Sequence, residues 1–227
     1  MTINNELRSH AGPPLLLPAV AYTFLFAASL IASGILRHGA AFVGPNGSTE
    51  AVQRFFAQSP EADRVYAFLF LGSAIPLGIY TATVVSRLRF LGVRAAGTYI
   101  ALFGGFAASG MLAACALCSW VLSVPEVNAS APVTRALYVL SFLFGGTAFA
   151  AGFGLLAAGV SLTSYFARLL PQWLMWFGMV VAVAGVLSTF SLIASPMEYA
   201  IPITRFGGIL WLIAVAVMLP KRVADAN

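Results

Sequence analysis

Six apolar segments divide this chain, and each is long enough to cross a bilayer as a helix. A transmembrane helix needs about 20 predominantly apolar residues, because each residue adds only about 1.5 Å of length. The sequence therefore predicts an all-α polytopic membrane protein, a bundle of six helices forming a single domain over residues 1–227. The predicted spans are residues 15–36, 65–86, 95–123, 136–166, 173–193 and 203–219.

The composition excludes a soluble globular domain. The chain is 60% hydrophobic and only 8% charged, with a mean hydropathy of +0.93, so it has too little polar surface to cover a water-exposed fold. A net charge of +5 can indicate nucleic-acid binding, but here the cations lie singly or in pairs at the ends of the predicted helices. We therefore expect membrane lipid as a partner and no nucleic acid.

The orientation is predicted by a cationic stretch between the second and third segments. Arg87, Arg89 and Arg94 lie within eight residues, and short loops rich in Lys and Arg stay in the cytoplasm. With six spans, both chain ends are then cytoplasmic, in agreement with Arg8 near the start and Arg222 near the end.

The longest polar connection, residues 39–63, is predicted to lie on the outer side. A helix start at Ser48 is followed by apolar residues at helical spacing, which favours a short amphipathic helix on the outer membrane face. Such a helix either covers exposed backbone or forms a lid over a binding cavity. The apolar residues are Ala51, Val52, Phe55 and Phe56.

No acidic, basic or histidine residue lies in the middle of any predicted span. Ion-coupled pumps and proton relays usually need such groups at membrane depth, so the sequence disfavours a proton- or sodium-driven transporter. His10 and His38 are the only histidines, and both lie outside the spans. We therefore predict no metal and no cofactor.

Cations at the outer ends of the helices are the candidate ligand-binding residues. Helix N-termini attract anions, so an outer ring of these side chains could bind an anionic head group or a lipid-like ligand. The alternative is pairing with nearby acids or with lipid phosphate. The ring consists of Arg37, His38, Arg64, Arg135 and Arg205, and the nearby acids are Glu61, Asp63, Glu126 and Glu198.

Cys115 and Cys118 lie about one turn apart on the third span, with Met111 one turn earlier. This spacing permits a thiol redox pair of the kind found in quinone-linked oxidoreductases, or a three-ligand Cu(I) site. Free cysteine is also a common small buried residue, and we favour that structural interpretation.

Small residues on the fourth span predict close helix packing, either inside the bundle or against a second copy or another membrane protein. Gly146, Ala150, Gly154 and Ala158 form this stripe. A Phe-Gly-Gly sequence also recurs three times, beginning at Phe103, Phe144 and Phe206.

The last third of the chain resembles the bacterial six-helix membrane proteins grouped as domain of unknown function 4386. The likeness is carried by Leu170-Pro171-Gln172-Trp173-Leu174 and by Gly178. It implies the six-helix layout and the bacterial cytoplasmic membrane, but no established activity. The chain differs on the third span, where Phe103-Gly104-Gly105-Phe106 replaces an expected Arg and Glu.

These features together predict a non-catalytic integral membrane protein. Its expected role is to bind a lipid-like or small apolar ligand, or a partner protein, through its outer half. Two alternatives stay open: a membrane thiol oxidoreductase that uses Cys115 and Cys118, and an uncoupled channel or transporter for small solutes.

Overall fold

A computed structural model describes residues 10–40 and 43–222, and the ends that carry Arg8 and the last five residues lie outside this range. The fold is all-helical. We label the helices α1 (Leu16–Leu36), α2 (Thr49–Gln58), α3 (Pro60–Phe90), α4 (Ala96–Leu122), α5 (Ala131–Phe166), α6 (Gln172–Leu192) and α7 (Ser195–Met218). All except α2 are long and apolar enough to cross a membrane, so the chain is an integral membrane protein with a six-span bundle.

The six long helices form a ring in sequence order. Each packs against the next, from α1 through α3, α4, α5 and α6 to α7, and α7 closes the ring by packing against α1. Aromatic and aliphatic side chains fill the interior, where Tyr80 also donates a hydrogen bond of 3.1 Å to the carbonyl of Leu212 across the bundle. The largest fully buried side chains in this core are Trp211, Tyr22, Tyr80, Phe26, Phe70, Phe149 and Phe153.

Glycines allow α5 to approach both of its neighbours closely. A Cβ atom on Gly152 would lie 2.8 Å from the backbone nitrogen of Ala108 on α4. On the other side, a Cβ atom on Gly154 would lie 3.0 Å from the carbonyl oxygen of Ala182 and 3.2 Å from the Cα of Gly185 on α6. Gly154 of the predicted small-residue stripe thus packs inside the chain, as does Gly152, which is not part of that stripe. At both positions only a hydrogen atom permits the close contact.

Two π-helical turns interrupt the long helices at one end of the bundle. One spans Phe144–Ala148 in α5, and the other spans Ile203–Gly207 in α7. In the first, the N–H of Phe149 bonds back to the carbonyl of Phe144, five residues earlier. Such turns widen a helix locally and occur often at functional sites.

The helix α2 begins at Ser48, whose hydroxyl accepts a hydrogen bond of 3.2 Å from the N–H of Ala51. Glu50 lies in the first turn of this helix. Hydrogen bonds from the backbone N–H of Glu50 and from the Ser48 hydroxyl lower the pKa of the Glu50 carboxyl. Val52 and Phe56 face inward and form a small separate core with side chains of α4 and α5, while Arg54 is exposed. This distribution gives α2 one apolar and one polar face.

The cationic stretch predicted as a loop is mostly helical. The α3 helix continues to Phe90, so Arg87 and Arg89 belong to its last turn, where the helix dipole favours cations. Gly92 then ends the helix with a φ of +90°, and the N–H of Val93 bonds back to the carbonyl of Leu88.

Both ends of the described chain lie at the end of the bundle that holds Gly92. The N–H of His10 donates a hydrogen bond of 3.1 Å to the carbonyl of Lys221. The ring of His10 also lies 3.0 Å from the hydroxyl of Ser86 on α3. The segments before α1 and after α7 are therefore held together.

Candidate binding cavity

A cavity of about 790 Å³ opens at the opposite end of the bundle, which we call the cavity end. Residues from every helix except α6 line it. Its apolar wall includes Leu30, Phe55, Phe56, Phe142, Ile201 and Pro202, and its uncharged polar wall includes Ser33, Tyr66, Cys115, Ser119, Tyr138 and Ser141. Four charged residues complete the lining: Arg37, Asp63, Glu198 and Arg205.

Arg37 and Asp63, which both line the cavity, form an ion pair, and no other ion pair occurs within residues 10–40 and 43–222. Asp63 is only 1% exposed, and its Oδ2 atom has no hydrogen-bond partner there. Burial lowers the pKa of Arg37, and the carboxylate of Asp63 opposes that shift. The pair neutralises both charges but leaves one carboxylate oxygen without a donor.

The same Arg37 holds α2 over the cavity. Its guanidinium lies 3.8 Å from the centre of the Phe55 ring and donates a hydrogen bond of 3.0 Å to the carbonyl of Phe55. Cation–π contact and a charge-assisted hydrogen bond act together here. The phenyl groups of Phe55 and Phe56 consequently form part of the cavity wall.

The connection before α2 is held by α5. Arg135 donates hydrogen bonds of 2.6 Å to the carbonyl of Pro45 and 2.9 Å to that of Gly47. Tyr138 donates to the carbonyl of Val43. Both side chains come from the first turns of α5, so this helix fixes the position of the segment that covers the cavity.

Arg205 lies where the two π-helical turns meet. Its Nη2 donates to the carbonyl of Gly145, which lies in the π turn of α5, while Arg205 itself lies in the π turn of α7. The guanidinium carbon is 5.5 Å from the ring centre of Phe26 and 5.4 Å from that of Phe149. Its buried Nε has no acceptor among the described residues.

A short strip of thiol and hydroxyl groups lines the wall formed by α4 and α5. The Sγ of Cys115 is 3.3 Å from the hydroxyl of Ser141, which in turn lies 3.1 Å from the hydroxyl of Ser119. Tyr66 lies within electrostatic range of Cys115, Arg205 and Asp63. The polar groups of four helices therefore converge on one space.

Of the five residues predicted to form an outer ligand-binding ring, only Arg37 and Arg205 line the cavity. The Nε of Arg64 lies 3.3 Å from the hydroxyl of Ser123, and Arg135 binds the loop carbonyls described above. His38 takes a left-handed φ of 52° just after α1, where it serves to end the helix. The structure thus brings two of the five together.

The two cysteines have different surroundings. Cys115 is buried and lines the cavity, whereas Cys118 is partly exposed and is not part of the lining, and both are free thiols. Met111 packs against the main hydrophobic core. Across the residues that the structure describes, no three His, Cys, Asp or Glu side chains are grouped to hold a metal ion.

From the sequence, Asp63 and Glu198 were expected only as local partners of border arginines. Asp63 does pair with an arginine, although its second carboxylate oxygen is buried without a donor, and Glu198 lines the cavity without an ion pair in the described chain. The signal available was their position: both are acids within one or two turns of a helix start at the same end of the bundle.

No family model, curated protein or solved structure matches this chain. The resemblance to domain of unknown function 4386 therefore stays a prediction, and the function must be inferred from the cavity itself.

Proposed function

We propose that this protein is a non-catalytic membrane protein that binds a lipid-like ligand in the cavity described above. The cavity carries this proposal. Its volume of about 790 Å³ falls within the range of roughly 300–1,000 Å³ typical of small-molecule sites. The exposed surface of its lining is mainly apolar, and polar and charged side chains converge on it, which suits an amphiphile.

The cavity end is proposed to face outward. Arg89, Arg94, Lys221 and Arg222 lie at the other end, and the positive-inside rule places that end in the cytoplasm. On this arrangement α2 lies at the outer surface of the membrane, which the resemblance suggests is the bacterial cytoplasmic membrane. The ligand then enters from the outer leaflet.

A pair of matched glycine substitutions tests the proposal. Gly34 lines the cavity, and a Cβ atom there would meet nothing within 4 Å. Gly110 on α4 has equally open surroundings but does not line the cavity. A tryptophan at residue 34 fills binding space without clashing with the backbone, whereas a tryptophan at residue 110 only enlarges an exposed surface.

The measurement is the lipid retained by purified protein, detected by native mass spectrometry in a non-ionic detergent. We expect wild type and Gly110→Trp to carry one bound lipid and Gly34→Trp to carry none. Equal retention by all three would place the lipid outside the cavity, and a wild type that retains no lipid would refute the proposed function.

A further inference from the structure

The charges that line the cavity are balanced but not all paired. Two cations and two carboxylates face it, and Arg37 and Asp63 neutralise each other. Arg205 and Glu198 are left, and neither has an oppositely charged partner within 4.0 Å in the described chain. The cavity thus presents one free positive and one free negative charge.

Arg205 is suited to hold an anion. A guanidinium has five N–H donors, and the one protein acceptor that the structure gives it is the carbonyl of Gly145. Arg205 lies near the middle of α7, and ionisable groups of membrane spans that face a cavity usually mark a ligand or ion site. A phosphate fits this position because arginine forms strong charge-assisted hydrogen bonds to phosphate oxygens.

Glu198 is suited to accept a hydrogen bond from a cation. It lines the cavity near the start of α7 and is partly exposed, and its carboxylate makes no hydrogen bond in the described structure. It is also within electrostatic range of the Tyr138 hydroxyl. A carboxylate without a donor in the protein can accept one from a ligand N–H.

We propose that the ligand is a phospholipid whose head group carries a phosphate, a primary ammonium and no further charge, that is, phosphatidylethanolamine. The phosphate binds Arg205, and the ammonium donates to Glu198. This inference rests on the proposed function, and it adds the identity of the head group.

Charge and hydrogen bonding both distinguish this head group from other common ones. Phosphatidylglycerol has the phosphate but no cation, so it leaves Glu198 unpaired and adds a net negative charge to the cavity. Phosphatidylcholine has the cation but no N–H, so it cannot donate a hydrogen bond to Glu198. The apolar wall, with Leu30, Phe142 and Ile201, suits acyl chains and favours the lipid over free phosphoethanolamine.

The test compares three lipids with identical acyl chains on delipidated protein in a non-ionic detergent, with bound lipid counted by native mass spectrometry. We expect wild type to bind phosphatidylethanolamine about tenfold more tightly than phosphatidylglycerol or phosphatidylcholine, which is the effect of one charge-assisted hydrogen bond. Free phosphoethanolamine is added as a competitor and should displace the lipid poorly.

Two variants test the two charged residues separately. Arg205→Gln should reduce binding of phosphatidylethanolamine about tenfold. Glu198→Gln should instead remove the preference over phosphatidylglycerol, because the ammonium loses its partner and the cavity gains a net positive charge. Arg64→Gln is the control, since Arg64 lies at the same end of the bundle but outside the cavity lining.

Each outcome has a separate meaning. Equal binding of all three lipids, or an unchanged preference in Glu198→Gln, would overturn the head-group inference while leaving lipid binding intact. Displacement by free phosphoethanolamine at concentrations comparable to the lipid would show that the ligand is a soluble zwitterion. Should Arg205→Gln fail to fold, Glu198→Gln still decides, because Glu198 is partly exposed and makes no hydrogen bond in the described structure.

Discussion

Arg87 and Arg205 both belong to long helices of the bundle, but their surroundings differ. Arg205 lies beside an open cavity, whereas Arg87 is 2% exposed, and its Nε and Nη1 have no acceptor among the described residues. Arg87 lies instead close enough to His10 to act on it electrostatically. The positive charge of Arg87 disfavours protonation of His10, so the packing around His10 depends on pH.

His10 should make the stability of the fold fall at acidic pH. Burial, and then the charge of Arg87, lower the pKa of His10 below its ordinary value of 6.5. The unfolded chain therefore binds more protons than the folded one just below pH 6.5, so the stability contributed by neutral His10 is present above this pH and is lost as the pH falls.

The measurement is the melting temperature of the protein in detergent at pH 7.5 and pH 5. Wild type should lose more stability between these values than His10→Gln, which keeps a hydrogen-bonding side chain beside Ser86 but does not titrate. An identical pH response in the two proteins would show that the charge of His10 does not affect folding.

At the scale of single residues, the sequence predicted which side chains are charged at the helix ends but not their partners. Arg37 and Arg135 look equivalent in the sequence, yet one pairs with a buried carboxylate and the other binds loop carbonyls. Partner choice depends on which helix ends meet in the bundle, and that information is tertiary.

At the scale of the helices, the contact between α5 and α6 depends on Gly154. A leucine at this position should overfill the contact with Ala182 and Gly185 and destabilise the fold by about 1–3 kcal/mol, as in other overpacked cores. Gly110→Leu is the matched control because it projects into open space. Thermal unfolding in detergent compares them, and a Gly154→Leu protein as stable as the control would contradict the close packing.

The three Phe-Gly-Gly sequences show where helix-level prediction stops. Gly104 and Gly105 stay in regular α-helix and admit neighbouring helices, whereas the pairs after Phe144 and Phe206 accompany π turns at the cavity. The glycines of both kinds of backbone meet packed neighbours, such as Thr81 beside Gly105, Cys115 beside Gly145 and Phe153 beside Gly208. The three-residue sequence alone therefore does not determine which backbone forms.

At the scale of the whole molecule, orientation should depend on the cations at the end opposite the cavity. Neutralising Arg87, Arg89 and Arg94 together should give a mixture of orientations, because the two spans they flank lose their cytoplasmic signal. Most of the effect should come from Arg89 and Arg94, since Arg87 is buried in the fold.

Cysteine labelling measures this orientation in intact cells, after both native cysteines are replaced with alanine. New cysteines are placed at Ser48 and at Gly92, and an impermeant thiol reagent should label only residue 48 in the wild-type background. Removing Arg64 and Arg135 is the control and should leave the pattern unchanged. Protection of residue 48 from the reagent would show that the true orientation is the inverse of the proposed one.

The number of spans and their approximate limits could be predicted, because the hydrophobic length that a bilayer requires is encoded in consecutive residues. The closed ring of helices could not be predicted, because no local sequence pattern shows that α7 packs against α1. The cavity follows from that closure, so its position was also outside what the sequence alone could predict.

The ring order has a consequence for how the protein is made. Five of the six contacts join helices that are neighbours in sequence and can form as each hairpin leaves the ribosome, whereas the contact between α1 and α7 must wait for the end of synthesis. Glu198 and Arg205 both lie on that last helix. The cavity, which is the proposed lipid site, is therefore complete only in the final step of assembly, when a lipid already in the membrane could be enclosed as the ring closes.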